Sequence, residues 1–138
     1  HFAAPDAWCV YDDVRPCFDR LSEAGIRLGL ISNWDVRLPR VLKGLGLWNR
    51  FEATLVSCQV GAEKPDRRIF SEALRRVRLR PQETLHVGDN YEGDFRGARR
   101  AGMHSFWLRR DVPSEKLERE GSIRTLRQVP DKIRQMEE

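Results

Sequence analysis

No apolar run in this sequence approaches the about 20 residues needed to cross a bilayer. The longest, Ile26 to Ile31, is itself broken by Arg27. A membrane-spanning helix is therefore excluded, and no membrane partner is expected. No basic segment leads into an apolar one at the start, so nothing there reads as a signal peptide. Cysteine is scarce: Cys9, Cys17 and Cys58 form neither a CxxC pair nor a metal-ligand spacing. They read as reduced core or near-core thiols of a cytosolic protein. A basic tail and an aromatic platform are missing too. The net charge of +4 comes from arginines such as Arg15, Arg50, Arg78 and Arg124, spread along the chain among acids. That pattern is a solvated surface, and no nucleic-acid partner is expected. There is no internal repeat and no low-complexity tract. The chain opens on His1 rather than Met, as expected of a fragment or a processed product.

What is present is enough apolar content, 40% of 138 residues, to bury the core of one domain. Short apolar runs alternate with amphipathic stretches, which predicts an α/β fold. Val14, Phe18, Leu21 and Ala24 recur at helical spacing, with Asp12 or Asp13 placed to cap the start and Gly25 to end it. Ile26–Ile31 reads as a buried strand ending in Ser32-Asn33. A helix over Val36–Leu45 follows, with Pro39 tolerated in its first turn. Ala53–Ser57 is a second strand, and Gln59–Pro65 a loop. A helix capped by Asp66 then carries a core stripe of Ile69, Phe70, Ala73, Leu74 and Val77. Thr84–Val87 is a third strand running into Gly88-Asp89, and a short helix spans Asp94 to Ala101. His104–Leu108 is a fourth strand, Asp111–Gly121 a charged surface segment, and Leu126, Val129, Ile133 and Met136 mark a final amphipathic helix.

Polar residues collect where strands end. Ser32-Asn33 follows the first strand, Lys64 lies in the loop after the second, and Asp89 ends the third with Asp94 five residues on. Ligands of open α/β sheets bind outside the carboxyl ends of the strands, so these groups should converge on one edge. Their chemistry is complementary: a hydroxyl and an amide donate to phosphate oxygens, an ammonium neutralises a dianion, and carboxylates hold a hard cation. Each alone has a plainer reading. Ser32 or Asp94 could cap the helix that follows, and a lone lysine is usually only solvated surface. A carboxylate at a strand end beside a permissive glycine, as in Gly88-Asp89, is costly without a role.

Ile31-Ser-Asn-Trp-Asp35, Gly61-Ala-Glu-Lys-Pro-Asp66 and Val87-Gly-Asp-Asn-Tyr-Glu-Gly-Asp94 resemble the second, third and fourth motifs of the haloacid dehalogenase-like hydrolases. Arg68-Ile-Phe70 and Gly97-Ala-Arg-Arg-Ala-Gly-Met103 fit as well, particularly the branch with a helical cap inserted after the first motif. The resemblance spans roughly residues 10 to 110 and implies a Rossmann-like parallel sheet with flanking helices. It further implies that Ser32 bonds the transferring phosphoryl group with Asn33 assisting, and that Lys64 neutralises charge between attacking carboxylate and phosphate. Asp89 would bind Mg²⁺, and Asp94 would orient Lys64 or a metal-bound water, as part of the metal site. The substrate class so implied is a small phosphorylated metabolite.

The family's first motif, a strand ending in Asp-x-Asp with the attacking carboxylate, is missing. Tyr11-Asp12-Asp13 is the nearest candidate, but its acids are adjacent and stand where a helix cap belongs. Residues 1–12 are therefore expected to be the tail of a cap, and residues 13–138 an incomplete core lacking its central strand. Without that strand the neighbours on either side would stand about 9–10 Å apart, twice the ladder spacing. Three functions stay open at this point: phosphomonoester hydrolysis by a longer protein, metal-free dehalogenation of a 2-haloacid, and a non-catalytic binding module.

Overall fold

Strand-length apolar runs between helical stretches give parallel pairing, because each crossover helix returns the chain to the same edge. The computed structural model of the chain describes residues 11–34, 37–113 and 121–137. In order, the elements are α1 (Val14–Glu23), β1 (Gly29–Ser32), α2 (Leu38–Gly44), β2 (Ala53–Val56), α3 (Ser57–Val60) and α4 (Arg67–Val77). Then come β3 (Leu85–Gly88), a wide helical turn Tyr91–Arg96, α5 (Gly97–Arg100), β4 (His104–Leu108), β5 (Ser122–Ile123) and α6 (Val129–Glu137). The strands form two parallel sheets, β1-β2 and β3-β4-β5. On one face Cys17 and Leu21 of α1 and Val129 of α6 pack with Leu108 and Ile123. On the other, Ile69 and Phe70 of α4, both 0% exposed, pack on Leu55, Ala98 and Met103. Leu38 and Leu42 of α2 complete the first face against Val56.

Several expectations shift. β1 starts at Gly29 rather than Ile26, because its ladder partner starts at Ala53; before that only Glu52 N–H donates to Leu28 O, at 2.7 Å. The loop after β2 opens with one helical turn, α3, closed by Gly61 at φ +80°, too short to show a period. β5 has two residues and offers no alternation to read. α2 begins at Leu38; Val36 lies outside the described residues, as do residues 1–10 of the expected cap tail and 114–120 of the charged segment.

Asp13 precedes α1 but does not cap it. Its backbone is helical and its side chain makes no cap bond. Instead the buried carboxylate draws the C-terminal segment onto α1. Oδ2 accepts from Arg110 at 2.7 Å, from the Thr125 hydroxyl at 2.8 Å and from Leu126 N–H at 2.8 Å. Burial pushes this carboxyl up, but the donors outweigh it and bring the pKa to about 2.

β1 and β3 each have one ladder partner among the described residues, so their other edges are unpaired. Between the sheets runs a cavity of about 800 Å³, walled by Leu30, Ile31, Leu85 and Val87, with Lys64 and Asp89 at one end. Its walls are mostly apolar and belong to the two strands whose outer edges have no ladder partner among the described residues.

Two outcomes are expected. Circular dichroism of the chain by itself should show a broad, non-cooperative melt, because two edges and a core slot stay open; a sharp transition would contradict this. In the natural protein that contains the chain, Asp13→Asn should cost about 2 kcal/mol at pH 7. Since the folded pKa lies below the ordinary carboxyl value of 3.8, this stabilisation is present above pH 4 and fades towards pH 2. Urea titrations of both proteins across that window should therefore converge at the acid end.

Candidate active site

Side chains alternate along β3. Leu85 and Val87 enter the core with α1 and α6, whereas His86 and Gly88 face α4 and α5. On that second face Asp94 folds back over Gly88: a Cβ there would stand 2.1 Å from its Cγ. The wide turn that brings Asp94 back is capped by Asn90, whose Oδ1 accepts from Gly93 N–H at 2.6 Å. Asp94 is therefore no cap, and it is 2% exposed. Its Oδ1 accepts from Lys64 Nζ at 2.5 Å and lies 2.8 Å from His86 Nε2, while Oδ2 accepts from Asn90 N–H at 3.1 Å. Burial pushes the carboxyl up, but the bonds from His86 and Lys64 and the lysine charge outweigh it, so it stays ionised.

Lys64 is fixed at both ends. Asn33, just past β1, grips its main chain twice: Nδ2 donates to Lys64 O at 3.1 Å, and Oδ1 accepts from Lys64 N–H at 2.8 Å. The amide expected to assist at phosphate thus also holds the lysine loop. The Lys64 side chain, 14% exposed, reaches across the slot to Asp94. Behind the loop Pro65 packs on Gly97, where a Cβ would stand 3.0 Å from the proline ring. Ser32 ends β1 half-buried; its hydroxyl makes no hydrogen bond among the described residues and does not cap α2, whose cap position is Arg37. Asp35 lies outside the described residues.

Asp89 is exposed at the end of β3, and its carboxylate bonds to nothing among the described residues. Its main-chain oxygen accepts from Trp107 Nε1 at 3.0 Å, and Tyr91 packs edge-on to that indole at 4.8 Å. A free carboxylate at the slot mouth suits one ligand position of a hard cation. Asp94, expected in the same metal site, is buried and accepts from Lys64, His86 and Asn90. Among the described residues no group of three acidic, histidine or cysteine side chains could hold a metal. Further oxygens would have to come from water, substrate or another segment.

Sequence reading had passed over His86, Asn90 and Trp107. His86 left a signal: a polar residue between Leu85 and Val87 on a buried strand, two positions before Gly88, shares the face of the site.

This α/β/α core, with a lysine, a hydroxyl and carboxylates at one sheet edge, defines the class. The chain belongs to the haloacid dehalogenase-like hydrolases, whose family profile matches residues 1–102. Human haloacid dehalogenase-like hydrolase domain-containing protein 3 is 46% identical over 105 residues, 76% of this chain and 42% of that protein. A glyceraldehyde 3-phosphate phosphatase from Methanopyrus kandleri is 41% identical over 101 residues, 72% of this chain and 43% of that one. Among solved structures, a HAD phosphatase from Thermococcus onnurineus superposes with TM-score 0.86 at 29% identity, covering 94% of this chain and 60% of its own. A 2-haloacid dehalogenase from Pseudomonas syringae pv. Tomato gives 0.78 at 30% identity, covering 93% and 54%. The chain thus spans less than half the length of these two curated relatives. No helix among the described residues is long and apolar enough to cross a membrane.

The Gly88 contact can be tested on stability. In the natural protein Gly88→Ala should cost about 1–3 kcal/mol by urea unfolding, since a buried, triply bonded carboxylate must move. Gly29→Ala serves as control: its Cβ would meet Ala53 O at an ordinary 3.6 Å. That change should stay within about 0.5 kcal/mol.

Proposed function

We propose that this chain supplies most of the active site of a Mg²⁺-dependent phosphomonoester hydrolase, acting on a small phosphorylated metabolite. Residues N-terminal to it would contribute the strand that fills the slot and, at the end of that strand, the attacking carboxylate. The observation that carries this reading is the pinned Lys64 ammonium beside the unpartnered Asp89 carboxylate at the mouth of a strand-shaped slot. A phosphoryl dianion needs its charge neutralised at fixed points as it transfers, and preorganised charge is the larger part of that catalysis. The naming of relatives as phosphatases supports the same reading.

In this scheme the carboxylate attacks phosphorus, the P–O ester bond breaks, and the departing alkoxide takes a proton from the second acid of the same Asp-x-Asp segment. Water then attacks the phosphorus of the acyl phosphate, giving a proton back to that acid, and inorganic phosphate and the free carboxylate are released. Ser32 donates to a phosphoryl oxygen. Lys64 neutralises charge between nucleophile and phosphate, and Asn33 and Asp94 hold it there. Asp89 would hold Mg²⁺, which when bound shields the phosphate charge from the incoming carboxylate. Dehalogenation of a 2-haloacid is the second reading, supported by the Pseudomonas structure. A metal-free site has no evident use for a free Asp89.

Purified natural protein containing this chain should release phosphate from small monoesters with Mg²⁺ and lose that activity in EDTA. Lys64→Ala and Asp89→Asn should each lower kcat/KM by at least about a hundredfold. Halide release from a 2-haloacid that survives EDTA would establish the second reading instead.

A further inference from the structure

His86 has no place in the scheme above, yet it bonds directly to Asp94, the carboxylate that holds Lys64. Its side chain is 12% exposed, on the sheet face beneath Asp94. The ring stands edge-on to Phe70, with centroids 5.3 Å apart and planes at 86°. Phe70 is wholly buried, so the ring has little room to turn. An ionised carboxylate can only accept, so the proton in the 2.8 Å contact to Asp94 Oδ1 sits on His86 Nε2. Lys64 Nζ uses the same oxygen from the opposite side of the slot. Two donors on one oxygen, with Asn90 N–H on the other, leave the carboxylate a single orientation. A carboxylate held by the lysine and Asn90 alone could rotate about its Cβ–Cγ bond and draw the ammonium with it.

We propose that His86 is a positioning residue that, through Asp94, sets where Lys64 presents its charge. The proposal rests on the phosphatase reading for its kinetic consequence but not for its geometry. Partners of this kind, one step behind a reactive group, commonly carry about 10–100-fold of activity.

The test uses the natural protein containing this chain, with His86→Phe, which keeps the packing on Phe70 and loses the donor, and His86→Gln, which keeps an amide donor near Nε2. His86→Phe should lower kcat about tenfold or more while KM changes less than about threefold, and His86→Gln should recover kcat to within about threefold of wild type. Independently of turnover, acylation of Lys64 by a small reactive ester, read by peptide mass, should be several-fold faster in His86→Phe and unchanged in His86→Gln. If His86→Phe fails to fold by circular dichroism, His86→Met takes its place. Equal kcat in the Phe and Gln variants, or Lys64 labelling unaffected by losing the donor, would overturn the proposal. A wild-type protein with no phosphatase activity would overturn the functional reading, and the labelling comparison would still decide the role of His86.

Discussion

An ammonium and a carboxylate meet across the gap between two half-sheets, and the rest of the site is arranged so that they can. Taking both charges out of water costs several kcal/mol per ion, which their attraction repays only with good geometry and satisfied lone pairs. Lys64 and Asp94 meet those terms through neighbours. Asn33 fixes the lysine backbone, while His86 and Asn90 donate to the carboxylate as well, one to each oxygen. Gly88 is required by the same pair, since a side chain there would strike Asp94, and Gly97 lets Pro65 of the lysine loop pack closely.

The polar groups of the site consequently fall into two sets. Asn33 bonds to the Lys64 main chain, Asp94 to the Lys64 ammonium and His86 to Asp94, and these three form a scaffold. The side chains of Ser32 and Asp89 bond to nothing among the described residues, and stand at strand ends with capacity left for a ligand. The two carboxylates of the site differ in burial: Asp94, 2% exposed, accepts from three protein donors, whereas Asp89 is exposed and accepts from none among the described residues.

Much of this was legible from residue patterns. Core stripes such as Ile69-Phe70-Ala73-Leu74 and punctuation such as Pro39 and Asp66 place α2 and α4 within two residues, because burial and capping act over one or two helical turns. The clustering of Ser32, Lys64 and Asp89 at one sheet edge followed from alternation of strands and helices, and the three motifs resembled those of the family. Asp13 was misread because a cap and a clasp look alike locally. Its partners Arg110 and Thr125 lie about a hundred residues away.

The sequence by itself determined the α/β class, the family and the identity of the groups at the edge, since those depend on periodicity and on short motifs. Only the tertiary structure decided that Asp94 bonds to Lys64 itself, one of the two roles the resemblance left open for it. It also placed the Asn33 side chain on the Lys64 main chain and His86 in the network. Those outcomes depend on which donors reach a given oxygen across the slot, a matter of three-dimensional distance that no spacing along the chain encodes.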